Sequence, residues 1–194
     1  MTEQQRYRVL ETFGGVELRE YAAHVRATVT IRGSLEKATN EAFGPLFRYI
    51  SGSNRSSTSM AMTAPVIEES AGERLSMTAP VITEGTESGI RTVSFVLPGA
   101  RPLADYPAPT DPRVSLHQLP VELAAALGWS GRWTAHNVAR WTSTLRERLE
   151  GIGLREVGPP KWARFDPPYT PPFARRNEIV IPVARPTSGT GHAR

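Results

Sequence analysis

The 194-residue chain contains no cysteine, which excludes disulfides, thiolate metal sites, iron–sulfur clusters, thiol nucleophiles and covalent attachment of a prosthetic group through CxxCH. Lysine is almost missing as well, with only Lys37 and Lys161 beside the many arginines. No window approaches the ~18 consecutive apolar residues of a membrane span, and the opening MTEQQRYRVLETFGG lacks the apolar stretch of a signal peptide. A cytoplasmic protein without a membrane partner is the expectation. Charge of one sign is not concentrated anywhere: the net +4 comes from arginines scattered singly or in pairs among acids, which reads as a solvated surface and not as a nucleic-acid interface. The four histidines, His24, His117, His136 and His192, form no HxH or HExxH pair, so no protein-built metal centre is expected. GxSxG is absent, since Gly128-Trp129-Ser130-Gly131 lacks that spacing, and Gly151-Ile152-Gly153 follows a helix instead of opening one.

What is present fits one globular unit. Hydrophobic residues make up 39% and charged residues 22%, and a chain of this size buries roughly 70% of its unfolded surface in one core. Residues 25–32, VRATVTIR, alternate strictly, with Val25, Ala27, Val29 and Ile31 on one face, which predicts a half-buried strand. Ser34 then caps a helix to about residue 50, with a kink or break at Gly44-Pro45. After the polar loop 51–59, residues 60–67 and 75–82 read as a hairpin, residues 91–97 as a strand, and the proline-rich stretch to Pro112 as a crossover.

The second half repeats this grammar. Strands are predicted at 114–119 and 121–127, ended by Gly128 to Gly131, and Thr134 caps a helix to about residue 150 with Val138, Trp141, Leu145 and Leu149 inward. Further strands follow near 154–157, 162–165 and 178–183. The two capping hydroxyls stand 134 − 34 = 100 residues apart, implying two β-α-β-β pseudo-repeats that share one core. The expected organisation is a flexible N-terminus over residues 1–6, a single domain over 7–183 and a disordered tail over 184–194. Without any coiled-coil repeat, a monomer is the default.

Two segments are distinctive. Met62-Thr63-Ala64-Pro65-Val66-Ile67 recurs as Met77-Thr78-Ala79-Pro80-Val81-Ile82. The repeat reads either as Met-lined hairpin packing or as an adaptable apolar wall for a flat ligand. Residues 165–178, FDPPYTPPFARRNE, place prolines between aromatics just before a strand. An exposed polyproline ligand for SH3-like or WW-like modules is one reading, and docking onto the protein's own body, tied by Arg175, Arg176 and Glu178, is the favoured one.

The doubled AMTAPV and SMTAPV motifs, the VSFVLP strand, the DPRVSLHQLPVELAAALGWSG stretch and YTPPFARRNEIVIPV together resemble the SOUL haem-binding protein family, in its bacterial form, from about Tyr7 to Val183. The resemblance implies an α+β fold in which a distorted antiparallel barrel of about eight strands carries two helices, related to GyrI-like effector-binding domains. It also implies reversible, non-covalent haem or tetrapyrrole binding without catalysis. By the same resemblance Phe43, Phe47 and Arg48 on the first helix would meet the ring and a propionate, beside Met62 of the methionine motif. Glu20 stands at the position of a histidine proposed as axial ligand in some members, and His24 is a substitute close by. A GyrI-like small-molecule or hydrolytic domain using the barrel cleft, with Glu20 as base if it faces that cleft, is the alternative.

Overall fold

In the computed structural model, which describes residues 3–55, 72–85, 89–167 and 169–185, both predicted helices form with their predicted caps. Helix α1 spans Leu35–Ile50, and the Ser34 hydroxyl accepts the Lys37 amide at 3.2 Å. Helix α2 spans Ala135–Gly151, and Thr134 accepts the Asn137 amide at 3.2 Å. Of the kink or break expected at Gly44-Pro45, the break does not occur, and the helix runs through both residues. Burial of Ala38, Ala42, Leu46 and Tyr49 against the sheet outweighs the ~3 kcal/mol that an internal proline costs.

The strands are β1 (Glu3–Gln4), β2 (Tyr7–Phe13), β3 (Val16–Tyr21), β4 (His24–Arg32), β5 (Asn54–Arg55), β6 (Thr78–Ala79), β7 (Val81–Gly85), β8 (Ile90–Val96), β9 (Ala108–Pro109), β10 (Ser115–Leu119), β11 (Glu122–Trp129), β12 (Arg155–Glu156), β13 (Lys161–Arg164) and β14 (Asn177–Ala184). The main sheet is antiparallel, in the order β10-β4-β8-β7-β13-β14-β11-β3-β2, with β12 also on β14. The halves match around the central β7/β13 pair: β4, α1, β7 and β8 correspond to β11, α2, β13 and β14. The strand before each half, β3 or β10, lies against the other half, on β11 or β4. These eight match the number of strands that the family resemblance implies; β2 and β3 lie before the first predicted strand, and β12 falls where a strand near 154–157 is predicted.

The curl of the sheet follows from two short links. Only Ala22 and Ala23 connect β3 to β4, and only Pro120 and Val121 connect β10 to β11, yet each link joins strands six places apart in the sheet. Three residue steps reach about 11 Å, whereas six flat strand spacings cover about 29 Å. The sheet must therefore close on itself as a half-barrel, with β10 and β2 as its edges.

One face of the sheet is covered by the helices. Val25, Ala27, Val29, Val93 and Phe95 pack with α1, while Val16, Leu18, Ala125, Leu127, Ile179 and Ile181 pack with α2. Leu35 at the start of α1 belongs to the second cluster, so the two halves meet in one apolar layer. The other face is the inside of the curl.

Several expectations change. β4 is buried on both faces at its start, with Arg26 at 4% exposure, because its polar face lines the half-barrel. β11 runs on through Gly128 to Trp129. Both edges of β7 are filled, by β8 and β13, so Val81-Ile82 has no edge left for the predicted hairpin. Residues 60–67, including Met62, lie outside the described residues. Thr78-Ala79 pairs in parallel with Glu3-Gln4, and Gln5 is buried. At the other end Ala184 completes β14 and Arg185 pairs with Glu11.

Candidate functional site

Two places combine ring surfaces or cavities with charge. The first is the outer flank of α1. Ala42, Leu46 and Tyr49 face the sheet, which turns Phe43 and Phe47, one helical turn apart, toward water at 40% and 47% exposure. Their rings stack with centroids 5.9 Å apart and planes 11° apart, and Phe43 makes a T-shaped contact with buried Phe95 at 5.5 Å and 69°. Arg48 follows at once and donates to Asp111 at 3.3 Å. Arg113 binds the same carboxylate more tightly, through its side chain at 2.6 and 2.9 Å and its amide at 3.1 Å. Arg113 first, and Arg48 with it, hold the Asp111 carboxyl well below the usual carboxylate range. Asp111 keeps Arg113 as its partner if Arg48 turns to a ligand, so the Arg48 guanidinium is exchangeable.

The second place is the inside of the half-barrel. Alternation along each strand sends Arg19, Tyr21, Arg26, Glu84, Glu122, Lys161 and Glu178 there. Arg19 and Glu178, from β3 and β14, form a bidentate pair at 2.7 and 3.2 Å, each less than 5% exposed. Arg19 also lies 4.2 Å from the centroid of the Tyr7 ring and donates to the Tyr21 hydroxyl at 3.1 Å. Arg176 binds the same carboxylate at 2.8 Å. Burial alone would raise Glu178, but Arg19 and Arg176 outweigh it and hold the carboxyl below its ordinary value. Burial pushes the Tyr21 phenol up to about 12.

A second charge group sits on the central strands. Arg26 binds Glu84 at 2.8 Å and Lys161 binds Glu122 at 2.6 Å, while Glu84 and Lys161 are register partners across β7 and β13. The four alternate in sign across the axis relating the halves. They separate two chambers that share Arg26, Glu122 and Lys161. The inner chamber, under Gln4, Gln5, Pro80 and Phe165, has about 20 Å³, room for about one water. The outer chamber has about 580 Å³ and is lined by Thr28, Thr30, Thr92, Ser94 and His117 opposite Leu119, Val121 and Leu123, a size typical of small-molecule sites.

The sequence candidates divide between these places. Phe43, Phe47 and Arg48 come together on α1. Glu20 shares the helix-covered side of β3 with Val16 and Leu18 and binds Arg8 at 3.0 Å, so the cleft-facing position on which a base role depended belongs to its neighbours Arg19 and Tyr21. His24 points into the half-barrel, on the opposite sheet face from α1. Its Nδ1 lies 2.8 Å from the Ala22 carbonyl, and its Nε2 meets Arg26 Nε at 2.9 Å and the Gln5 amide at 3.2 Å. Burial, then the Arg26 and Lys161 charges, lower its pKa.

The buried Arg19–Glu178 pair went unread as a site, because its members are 159 residues apart. The one signal is a carboxylate in phase with Val180 and Pro182 in a strand that is apolar from Ile179 onward. The proline-rich loop also departs from expectation. Arg175 and Arg176 do tie its base, but Tyr169 and Phe173 are 86% and 82% exposed and are not docked on the body.

Comparison with known proteins places this geometry. The family model described as "SOUL heme-binding protein" matches residues 2–182. No curated protein matches the chain. Among solved structures, the C-terminal domain of EcmrR aligns with a TM-score of 0.62 and 11% identity over 92% of this chain and 98% of that one. EcmrR in a DNA complex aligns at 0.60 and 12% over 88% of this chain and 57% of that one. A hydrolase from Listeria innocua aligns at 0.57 and 12% over 90% and 94%. At these identities the likeness concerns the fold, the two-helix half-barrel.

Proposed function

The chain belongs to the SOUL heme-binding protein family, and from that premise we propose that it is a non-catalytic carrier of haem or a related tetrapyrrole, bound at the outer flank of α1. The observation that carries this reading is the exposed, stacked Phe43–Phe47 pair beside the exchangeable guanidinium of Arg48. A planar apolar ring with carboxylate side arms fits that combination: the phenyl surface is removed from water and a propionate replaces Asp111 on Arg48. Met62 is a candidate from the family resemblance alone and lies outside the described residues. The bound group would supply whatever iron chemistry occurs, and the residues described supply burial and charge pairing. A monomer working in the cytoplasm, with a small molecule and not a nucleic acid as partner, belongs to the same proposal.

A hydrolytic reading finds less support. Glu178, the deepest carboxylate of the half-barrel, is held ionised between two arginines, and Glu20 lies on the other side of the sheet. The outer chamber of about 580 Å³ does favour a second reading, a small-molecule effector site inside the half-barrel.

A Soret titration with haemin tests the first reading and separates it from the second. Replacing both Phe43 and Phe47 by alanine should weaken haemin binding by about thirtyfold, some 2 kcal/mol, with little change in Tm. Thr30→Trp, which fills the outer chamber, should leave it unchanged. Loss of binding in Thr30→Trp with full binding in the double alanine variant moves the ligand into the chamber and rejects the α1 site.

A further inference from the structure

The proline-rich loop between β13 and β14 touches the half-barrel only through its ends, Phe165 and Arg176; its middle, with Tyr169 and Phe173, takes no part in either site. Yet it keeps two large aromatic side chains, Tyr169 at 86% and Phe173 at 82% exposure, in water. This is not a loose segment. The Thr170 amide donates to the Pro167 carbonyl at 3.1 Å, the Ala174 amide to Pro171 at 2.9 Å and the Arg175 amide to Pro172 at 3.2 Å. Arg175 Nε donates to the Thr170 carbonyl at 2.7 Å, and the Arg176 amide to the Asp166 carboxylate. The Arg176 guanidinium lies 4.0 Å from the centroid of the Phe165 ring. The two exposed rings are thus carried on a constrained frame, and little ordering remains to be done when they meet a partner.

The composition of the loop says which partner. Residues 167–176 read PPYTPPFARR, with two arginines and no carboxylate. Prolines carry no N–H, and of the five other residues between 167 and 175, three donate their amides inside the loop. Such a backbone can leave water with few donors stranded. Aromatic rings prefer the boundary between headgroups and acyl chains, and arginines at the base of the loop meet lipid phosphates. At that base Arg19, Arg175 and Arg176 stand against Glu178 and Asp166, so three guanidinium groups meet two carboxylates. We propose that this loop is a peripheral docking element for an anionic lipid surface, with Tyr169 and Phe173 entering the interface and Arg175 and Arg176 pairing with headgroups. No helix of the described residues is long and apolar enough to cross a membrane, so the contact is one of resting on the bilayer. It stands on the loop alone and does not depend on where haem binds.

The test is co-sedimentation of the full chain with phosphatidylcholine vesicles, with and without about a third phosphatidylserine. Sedimentation is expected with the phosphatidylserine vesicles and should fall with added salt. A variant carrying Tyr169→Ser and Phe173→Ser should lose about tenfold in partitioning while keeping its circular dichroism spectrum and its haemin titration. Equal sedimentation of the variant, or equal sedimentation with phosphatidylcholine alone, overturns the proposal. Absence of sedimentation with either vesicle also overturns it, and would leave the two rings to a protein partner.

Discussion

The Nε–H of Arg26 donates to Nε2 of His24 at 2.9 Å, and the proton of the imidazole is thereby fixed on Nδ1, facing the Ala22 carbonyl at 2.8 Å. The Gln5 amide reaches the same Nε2, so His24 joins the N-terminal segment to β4. Protonation would set an N–H against two donors. Burial, and then the neighbouring Arg26 and Lys161, lower the His24 pKa from 6.5. The unfolded chain therefore takes up a proton near 6.5 that the folded chain resists. Stability from this group is complete above pH 6.5 and is lost as pH falls from there through the folded value. Urea midpoints should drop between about pH 7 and about pH 5 in the wild type and much less in His24→Gln. Parallel profiles for the two proteins would refute the assignment.

A second acid-labile element is Glu178. Its folded pKa is depressed, so it stabilises above 4.5 and that contribution disappears as pH falls through the lower folded value. Glu178→Gln should cost about 3 kcal/mol at neutral pH, because buried Arg19 then keeps only the more exposed carboxylate of Glu17, at 2.7 Å, as its counter-charge. Glu20→Gln, at an exposed pair with Arg8, should cost at most about 1 kcal/mol. Similar losses from the two variants, read by denaturant unfolding, would show that the half-barrel is not held by its buried ion pair.

The contrast between these glutamates also shows what the sequence made legible. Ser34 and Thr134 announce their helices locally, since a cap needs only residues three positions away, and the alternation of residues 25–32 assigns a face to each side chain. The curl of the sheet was not readable in this way. It depends on which strands the Ala22-Ala23 and Pro120-Val121 links bring together, and that depends on pairing between residues 87 to 111 positions apart. Arg26 therefore reads as a solvent-facing residue of a half-buried strand, although it is buried inside the half-barrel. Glu20 and Glu178 look equally suited to a cleft until the strand phase is known. Phe43, Phe47 and Arg48 are candidates supplied by the family resemblance, and one helical turn separates the two rings.

In the proposed α1 site, Asp111, which accepts from Arg48 at 3.3 Å, would compete with a propionate for that guanidinium. Asp111→Asn should therefore tighten haemin binding several-fold, and Arg48→Ala should weaken it by about tenfold. Both are read by Soret titration at low salt, where the charge pair is least screened. A tighter complex in Arg48→Ala would mean that the guanidinium obstructs the ring.

The last prediction concerns iron. If the ring rests on α1, His24 cannot reach it, because β4 presents His24 to the half-barrel and Val25 and Ala27 to α1. Both imidazole nitrogens are also engaged, with the Ala22 carbonyl and with Arg26 and Gln5. Glu20 is on β3, bound to Arg8, in the half covered by α2. Binding then rests on apolar burial and the propionate contact, neither of which requires a metal. Iron-free protoporphyrin IX should accordingly bind within about tenfold of haemin, a difference below roughly 1.4 kcal/mol, and His24→Ala should leave the haemin spectrum unchanged. Axial ligation by a histidine would instead give a distinct spin state and a large preference for the iron form. A hundredfold weaker binding of the metal-free ring, about 2.7 kcal/mol, together with loss of a low-spin band in His24→Ala, would place the haem inside the half-barrel with His24 as its ligand.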